Sequence, residues 1–102
     1  MKVAKKIKDL DGWTGRAALY QCDPPMEEHS WDDEEVASHE WVIASAAYAM
    51  FSGPETYLFP SNEKGEVVDW GELPGSFKGD LSHAMAFDNA GYQLEGDEHE
   101  RI

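Results

Sequence analysis

Asp11-Gly12 stands between two stretches in which apolar and polar residues alternate. Such a dipeptide closes a tight hairpin, because both positions tolerate the left-handed backbone that matches strand twist. Before it, Val3 and Ile7 alternate with charged positions. After it, a strand over 13–22 puts Trp13, Ala17 and Leu19 on one face and Arg16 and Tyr20 on the other. Asp23-Pro24-Pro25 is expected to end this strand, since consecutive prolines cannot donate to a ladder.

A second hairpin is read further on. Ser52-Gly53-Pro54-Glu55 is a turn, Thr56-Tyr57-Leu58-Phe59 a short β segment, 60–65 a glycine-closed loop, and Glu66–Trp70 the return strand. The segment 41–51 fits two structures. Ser30 could cap a helix there, with acids filling its first turn, and alanine favours that form. Trp41, Val42, Ile43 and Tyr48 favour a strand. The neighbouring hairpin tips the reading to a strand, which completes a meander. Gly71–Gly79 is a turn-rich connector. Asp80 is placed as N-cap of a helix over 81–90 that turns Leu81, Met85 and Ala84 to the sheet with Phe87 flanking; Gly91 ends it, and Tyr92-Gln93-Leu94 adds a last strand.

The expected fold is therefore α+β: a small antiparallel β-sheet of four to five strands, hairpin plus meander, with one short C-terminal helix packed on one face. The alternative has two helices, the first over 31–51. A chain of 102 residues fits a single domain, taken as 1–95, with a polar C-terminal tail over 96–102. Apolar residues make up 41%, enough for a modest core without disulfides. The single cysteine, Cys22, suggests a reduced, cytoplasmic setting and is read as a small strand residue with no basic neighbour to activate it. Met1–Lys6 is basic but no apolar stretch follows it, so no signal peptide is expected, and 41–51 is too short to span a bilayer.

The net charge of −13 is unevenly placed. Lys2, Lys5, Lys6, Lys8 and Arg16 lie in the first hairpin, and only Lys64, Lys78 and Arg101 follow. Such a field disfavours direct contact with DNA or RNA and favours a basic protein surface. The stretch 26–40 carries Glu27, Glu28, Asp32, Asp33, Glu34, Glu35 and Glu40 with no lysine or arginine, and is read as an exposed loop. Trp31 stands in its middle, and tryptophan is a frequent anchor of binding hot spots. Glu27, Glu28, Trp31, Asp32, Asp33, Glu34 and Glu35 are therefore the candidate partner-binding residues; the plainer reading is a solubilising loop.

Other chemistry is weakly marked. His29, His39, His83 and His99 form no His-x-x-x-His pair, and one cysteine cannot build a thiolate zinc site. His29 with Asp32 and Asp33 would make a cation site only if the three gathered, against the simpler reading of a solvated acidic loop. Ser76 lacks the Gly-x-Ser-x-Gly frame of a nucleophile elbow and reads as a turn serine. His83 is placed on a helix surface. Asp69-Trp70 reads as a hairpin closure packed on the core. No cofactor, metal or catalytic residue is assigned.

Gly53-Pro54-Glu55-Thr56-Tyr57-Leu58-Phe59-Pro60 and Asp69-Trp70-Gly71-Glu72-Leu73-Pro74-Gly75-Ser76-Phe77 resemble segments of small uncharacterised proteins of actinobacteria and their phages. In those, a short His-containing helix and a Gly-Tyr pair follow, here His83 and Gly91-Tyr92. The resemblance covers roughly residues 41–95 and brings no activity or site residues. It implies a phage or mobile-element accessory protein. The expected function is a small acidic non-enzymatic interaction protein that binds and modulates a host protein with a basic surface, one version being a nucleic-acid mimic. The alternative is a structural or assembly component acting as a homo-oligomer. A small hydrolase using His29, His39 or His83 with nearby acids is the third and weakest option.

Overall fold

A computed structural model describes residues 2–13, 15–29, 36–49, 53–68, 73 and 75–95. The expected polar tail, 96–102, lies outside them, as do Asp69 and Trp70. Among the described residues six strands and one helix follow in chain order: β1 Val3–Leu10, β2 Arg16–His29, β3 Val36–Ala49, β4 Gly53–Ser61, β5 Phe77–Lys78, α1 His83–Asn89 and β6 Gln93–Glu95. They form one sheet in the order β5-β4-β3-β2-β1-β6. The α+β expectation holds in outline, but the sheet has six strands and is mixed. β6 runs parallel to β1, with Val3 opposite Gln93 and Ala4 opposite Leu94. A purely antiparallel sheet is excluded because the chain leaves the β5 edge, crosses one face as α1, and joins the far edge.

The first hairpin forms where Asp11-Gly12 predicts it, with Gly12 at φ 88°. Its inward residues differ from the expectation. The ladder skips Ile7 between Lys6↔Tyr20 and Lys8↔Leu19, so Ile7 sits in a bulge, 41% exposed, and Ala4 takes the fully buried place. The segment 41–51 is strand as far as it is described, through Ala49. Its alanines serve packing more than propensity. Ala18, Ala44 and Ala46 lie on the face beneath α1, where short side chains leave room for Phe87, Ala86 and His83.

The two faces carry different cores. On the helix side Ala4, Ala18, Tyr20, Cys22, Met26, Val42, Ala44, Leu58, Leu73, Ala86, Phe87 and Tyr92 pack as one cluster. Tyr20 and Phe87 meet with ring centroids 4.7 Å apart. On the other side Ala17, Leu19 and Ile43 are covered by Leu10, Trp13, Trp41 and Val67. Trp13, Ala17 and Leu19 thus share a face, as their alternation predicts.

Asp23-Pro24-Pro25 does not end β2. The strand runs on to His29, with its register against β3 shifted between Gln21↔Trp41 and Met26↔His39. Residues 22–25 thus face the single Glu40, so the prolines sit in a bulge. There Cys22 and Asp23 still pair with β1, whose first strand residue is Val3.

The expected return strand over 66–70 is also absent from the described part of that segment. Val67 makes one isolated bridge to Ser61. Asn62 closes the turn instead: its Oδ1 accepts from the amides of Lys64 (2.9 Å) and Glu66 (3.0 Å). The outer edge of β4 is then satisfied piecemeal. Val68 N–H donates to Pro60 O, Leu73 N–H to Leu58 O, and Leu58 N–H to Ser76 Oγ, before β5 pairs with Glu55 and Thr56.

The helix starts later than Asp80 suggests. Thr56, fully buried on β4, donates its hydroxyl to Asp80 O (2.9 Å) and accepts from Ser82 N–H (3.0 Å). This clamp ties 80–82 to β4, and Ser82, with extended backbone, is the N-cap whose side chain accepts from Met85 N–H. The two-residue shift turns His83, Ala86 and Phe87 inward and leaves Met85 45% exposed. At the other end Gly91 (φ 89°) makes a Schellman closure, with Tyr92 N–H donating to Phe87 O and Gly91 N–H to Asp88 O.

Candidate functional site

The candidate residues are split by the structure. Trp31, Asp32, Asp33, Glu34 and Glu35 lie outside the described residues. Glu27 and Glu28 lie on β2, where a loop was expected. The segment 26–40 is a ribbon over its described parts: Met26 pairs with His39, Glu27 with Ser38, Glu28 with Ala37 and His29 with Val36. The strand reading fails to appear in the sequence because Pro24-Pro25 and the acids both argue against it.

This ribbon outruns its neighbours. β1 last pairs with β2 at Val3↔Asp23, and β4 last pairs with β3 at Trp41↔Ser61. Beyond those points the two strand ends pair only with each other among the described residues, so 26–29 and 36–39 form a two-stranded arm. Such a pair is marginal alone, and two contacts root it. Met26, 3% exposed, packs into the main core, and the Tyr92 hydroxyl donates to Pro24 O at 2.5 Å.

The root of the arm is acidic. Asp23, Glu27 and Glu40 are exposed there, and Gln21 Nε2 donates to Glu40 Oε2. The local field registers on Tyr92. Its hydroxyl is pushed up to about 12, first by burial and then by the negative potentials of Cys22, Glu27 and Asp23. Lys5 stands beside these acids in a cavity of about 540 Å³ that Gln21, Cys22, Asp23 and Glu40 also line. Cys22 itself is 1% exposed, and burial pushes its thiol to about 12. It is inert, as its sequence context suggests.

The remaining candidates for chemistry are dispersed. His83 is not on a helix surface; it is 2% exposed and bridges helix to sheet. Its Nε2 lies 3.0 Å from Arg16 O and its Nδ1 3.2 Å from the Tyr20 hydroxyl. A carbonyl only accepts, so Nε2 carries the proton, and a neutral ring then accepts from Tyr20 at Nδ1. His39 is on the arm, at the opposite end of β2, and the His83 ring is occupied by positioning work. The backbone of His29 faces Val36, and Asp32 and Asp33 lie outside the described residues. Among the described residues no three His, Cys, Asp or Glu side chains gather as metal ligands. Ser76 Oγ donates to Leu73 O and accepts from Leu58 N–H, which commits it to the turn.

A second concavity went unmarked in the sequence. At the β3–β4 end of the helix-covered face, Gly15, Arg16, Ala46, Ala47, Tyr48, Leu81 and His83 line a recess of about 350 Å³. Arg16 and Ala46 are cross-strand partners, and Tyr48 follows Ala46 on the same face. Only the alternation of 16, 18 and 20 against 44, 46 and 48 carried a signal for it, and that signal needed the register.

No protein-family model, curated protein or solved structure matches the chain. Among the described residues no helix is long and apolar enough to cross a membrane.

Proposed function

We propose that this is a small acidic non-enzymatic interaction protein, a phage or mobile-element accessory protein of the host cytoplasm. It binds and modulates a host protein through that protein's basic surface. The observation that carries the reading is the register of β2 and β3, which extends an acidic ribbon past both neighbouring strands. Glu27 is exposed on it, Asp23 and Glu40 flank its root, and the sequence puts Trp31, Asp32, Asp33, Glu34 and Glu35 between its two strands. Carboxylates gathered on a projecting segment support a nucleic-acid-like charge display. Opposite charge speeds the encounter, and an aromatic among the acids supplies an anchor.

Self-assembly through sheet edges is the weaker reading. The edge strands β5 and β6 have 2 and 3 residues, and edges that short pair poorly with another copy. Sedimentation at several concentrations tests it: a strict monomer eliminates it.

The main reading is tested by capturing host proteins on the immobilised chain at about 0.1 M and about 1 M salt, where the screening length falls from ~10 to ~3 Å. A parallel capture uses a chain with Glu27, Glu28, Asp32, Asp33, Glu34 and Glu35 changed to their amides. The reading expects a partner held at low salt, released at high salt, and lost by the amide variant. A partner indifferent to either change, or no partner at low salt, defeats it.

A further inference from the structure

We propose that the recess lined by Arg16, Ala46, Tyr48 and Leu81 is a binding site for a small planar aromatic carboxylate, independent of the acidic arm. Four features set the ligand class. The volume of about 350 Å³ lies at the small end of ligand pockets and suits one ring system with a short side chain. The floor is the Ala46 methyl with the backbone of Ala47 and Gly15 beside it, since the Ala47 methyl turns to the other face of the sheet; short residues on adjacent strands leave a flat apolar slot. Tyr48 borders the slot with 71% of its surface exposed, an aromatic face that a ligand ring can cover. Arg16 is the one formally charged residue among the described residues that line the recess.

Strand alternation puts the Arg16 side chain on the same face as Ala46 and Tyr48. Its guanidinium offers five N–H donors in a planar fork that matches a carboxylate, so it accommodates one alongside an existing partner. An ammonium ligand finds no carboxylate among the described lining residues.

His83 forms the inner wall. Both its ring nitrogens are engaged, with Arg16 O and the Tyr20 hydroxyl, so it shapes the slot and holds the strand that carries Arg16. The wall is therefore built before any ligand arrives, which limits the ordering cost of binding.

The test is a titration of the full chain, followed by amide chemical shifts, with indole-3-acetate and phenylacetate, and with the matched amines tryptamine and phenethylamine. The acids are expected to give saturable shifts confined to 15–16, 46–48 and 81–83 below ~10 mM, and the amines none. Arg16→Gln is expected to weaken the acids on the order of tenfold or more. Arg16→Lys should restore part of the loss. Tyr48→Ala, at an exposed position that keeps the fold, should weaken them severalfold and so tests the slot even if Arg16 variants fail to fold. Saturable amine binding at the same residues, acid shifts scattered over the surface, or Tyr48→Ala binding like the parent chain would each overturn the proposal. So would the absence of saturable acid shifts.

Discussion

Thr56→Val separates what the Thr56 hydroxyl does from what its bulk does. The side chain is fully buried, donates to Asp80 O at 2.9 Å and accepts from Ser82 N–H at 3.0 Å. Valine keeps the branched shape and deletes both bonds. Asp80 is exposed, so its carbonyl regains water at little cost. Ser82 is half-buried, so its amide recovers less. One lost bond at ~1 kcal/mol and one poorly solvated donor at ~1 kcal/mol sum to about 2 kcal/mol. For a chain of this size that lowers Tm by about 10 °C. Thr56→Ser is the counterpart: it keeps both bonds and loses one methyl, about 1 kcal/mol or about 5 °C. Thermal melts followed by near-ultraviolet circular dichroism give the ranking. The clamp requires valine to be the less stable variant. If valine melts at or above serine, methyl burial is what matters at this position, and the account of why α1 starts at Ser82 is wrong.

Gly75→Ala should abolish folding or cost at least ~3 kcal/mol, since φ is 107° and a Cβ would stand 2.4 Å from Ala86 O; Gly53→Ala, with φ 84° and open space, should cost only ~1 kcal/mol, and denaturant melts compare them. Raising the pH should destabilise the fold from about pH 9 upward. Cys22 goes from 9.0 to about 12 and Tyr92 from 10.0 to about 12, so the unfolded chain loses these protons first; the stability is whole below pH 9 and is lost towards pH 12. Cys22→Ala should flatten the onset between pH 9 and 10 in urea melts, and an unchanged slope would contradict the burial of the thiol. Native Cys22 should resist iodoacetamide at pH 8 and label fully in denaturant, read by intact mass.

Local signals with a single physical cause were readable from the residues. Asp11-Gly12 has one good conformation between alternating strands, and Gly91 one good place after a helix, and both stand where expected. Signals that depend on a partner strand were not. Nothing local distinguishes Pro24-Pro25 as a strand end from Pro24-Pro25 in a bulge opposite Glu40. The helix phase turned on Thr56, 24 residues before Asp80, so Leu81 and Met85 were assigned the inward face that belongs to His83, Ala86 and Phe87. The acidic character of Glu27 and Glu28 was plain, while their place on a projecting ribbon followed only from where β1 and β4 stop.

The lengths of the elements explain why this sheet has two ends worth attention. α1 has 7 residues and spans about 10 Å, whereas β2 and β3 have 14 residues each in a molecule whose longest axis is 37 Å. One short helix cannot cover strands that long. Thr56 and Gly75 fix it near their middle, where Tyr20 meets Phe87 and His83. The helix stops short of both strand ends: at one lies Tyr48, 71% exposed, and at the other the arm leaves the sheet body beyond Met26, which still packs in the core. Towards Arg16 the bare surface is apolar and becomes the recess. Towards Met26 the strands leave the sheet body, so they need solubility more than packing, and acids at Asp23, Glu27 and Glu40 provide it. A longer α1 would cover the recess, whereas the arm projects because β1 and β4 stop short of it, so two separate causes leave this fold two surfaces to present.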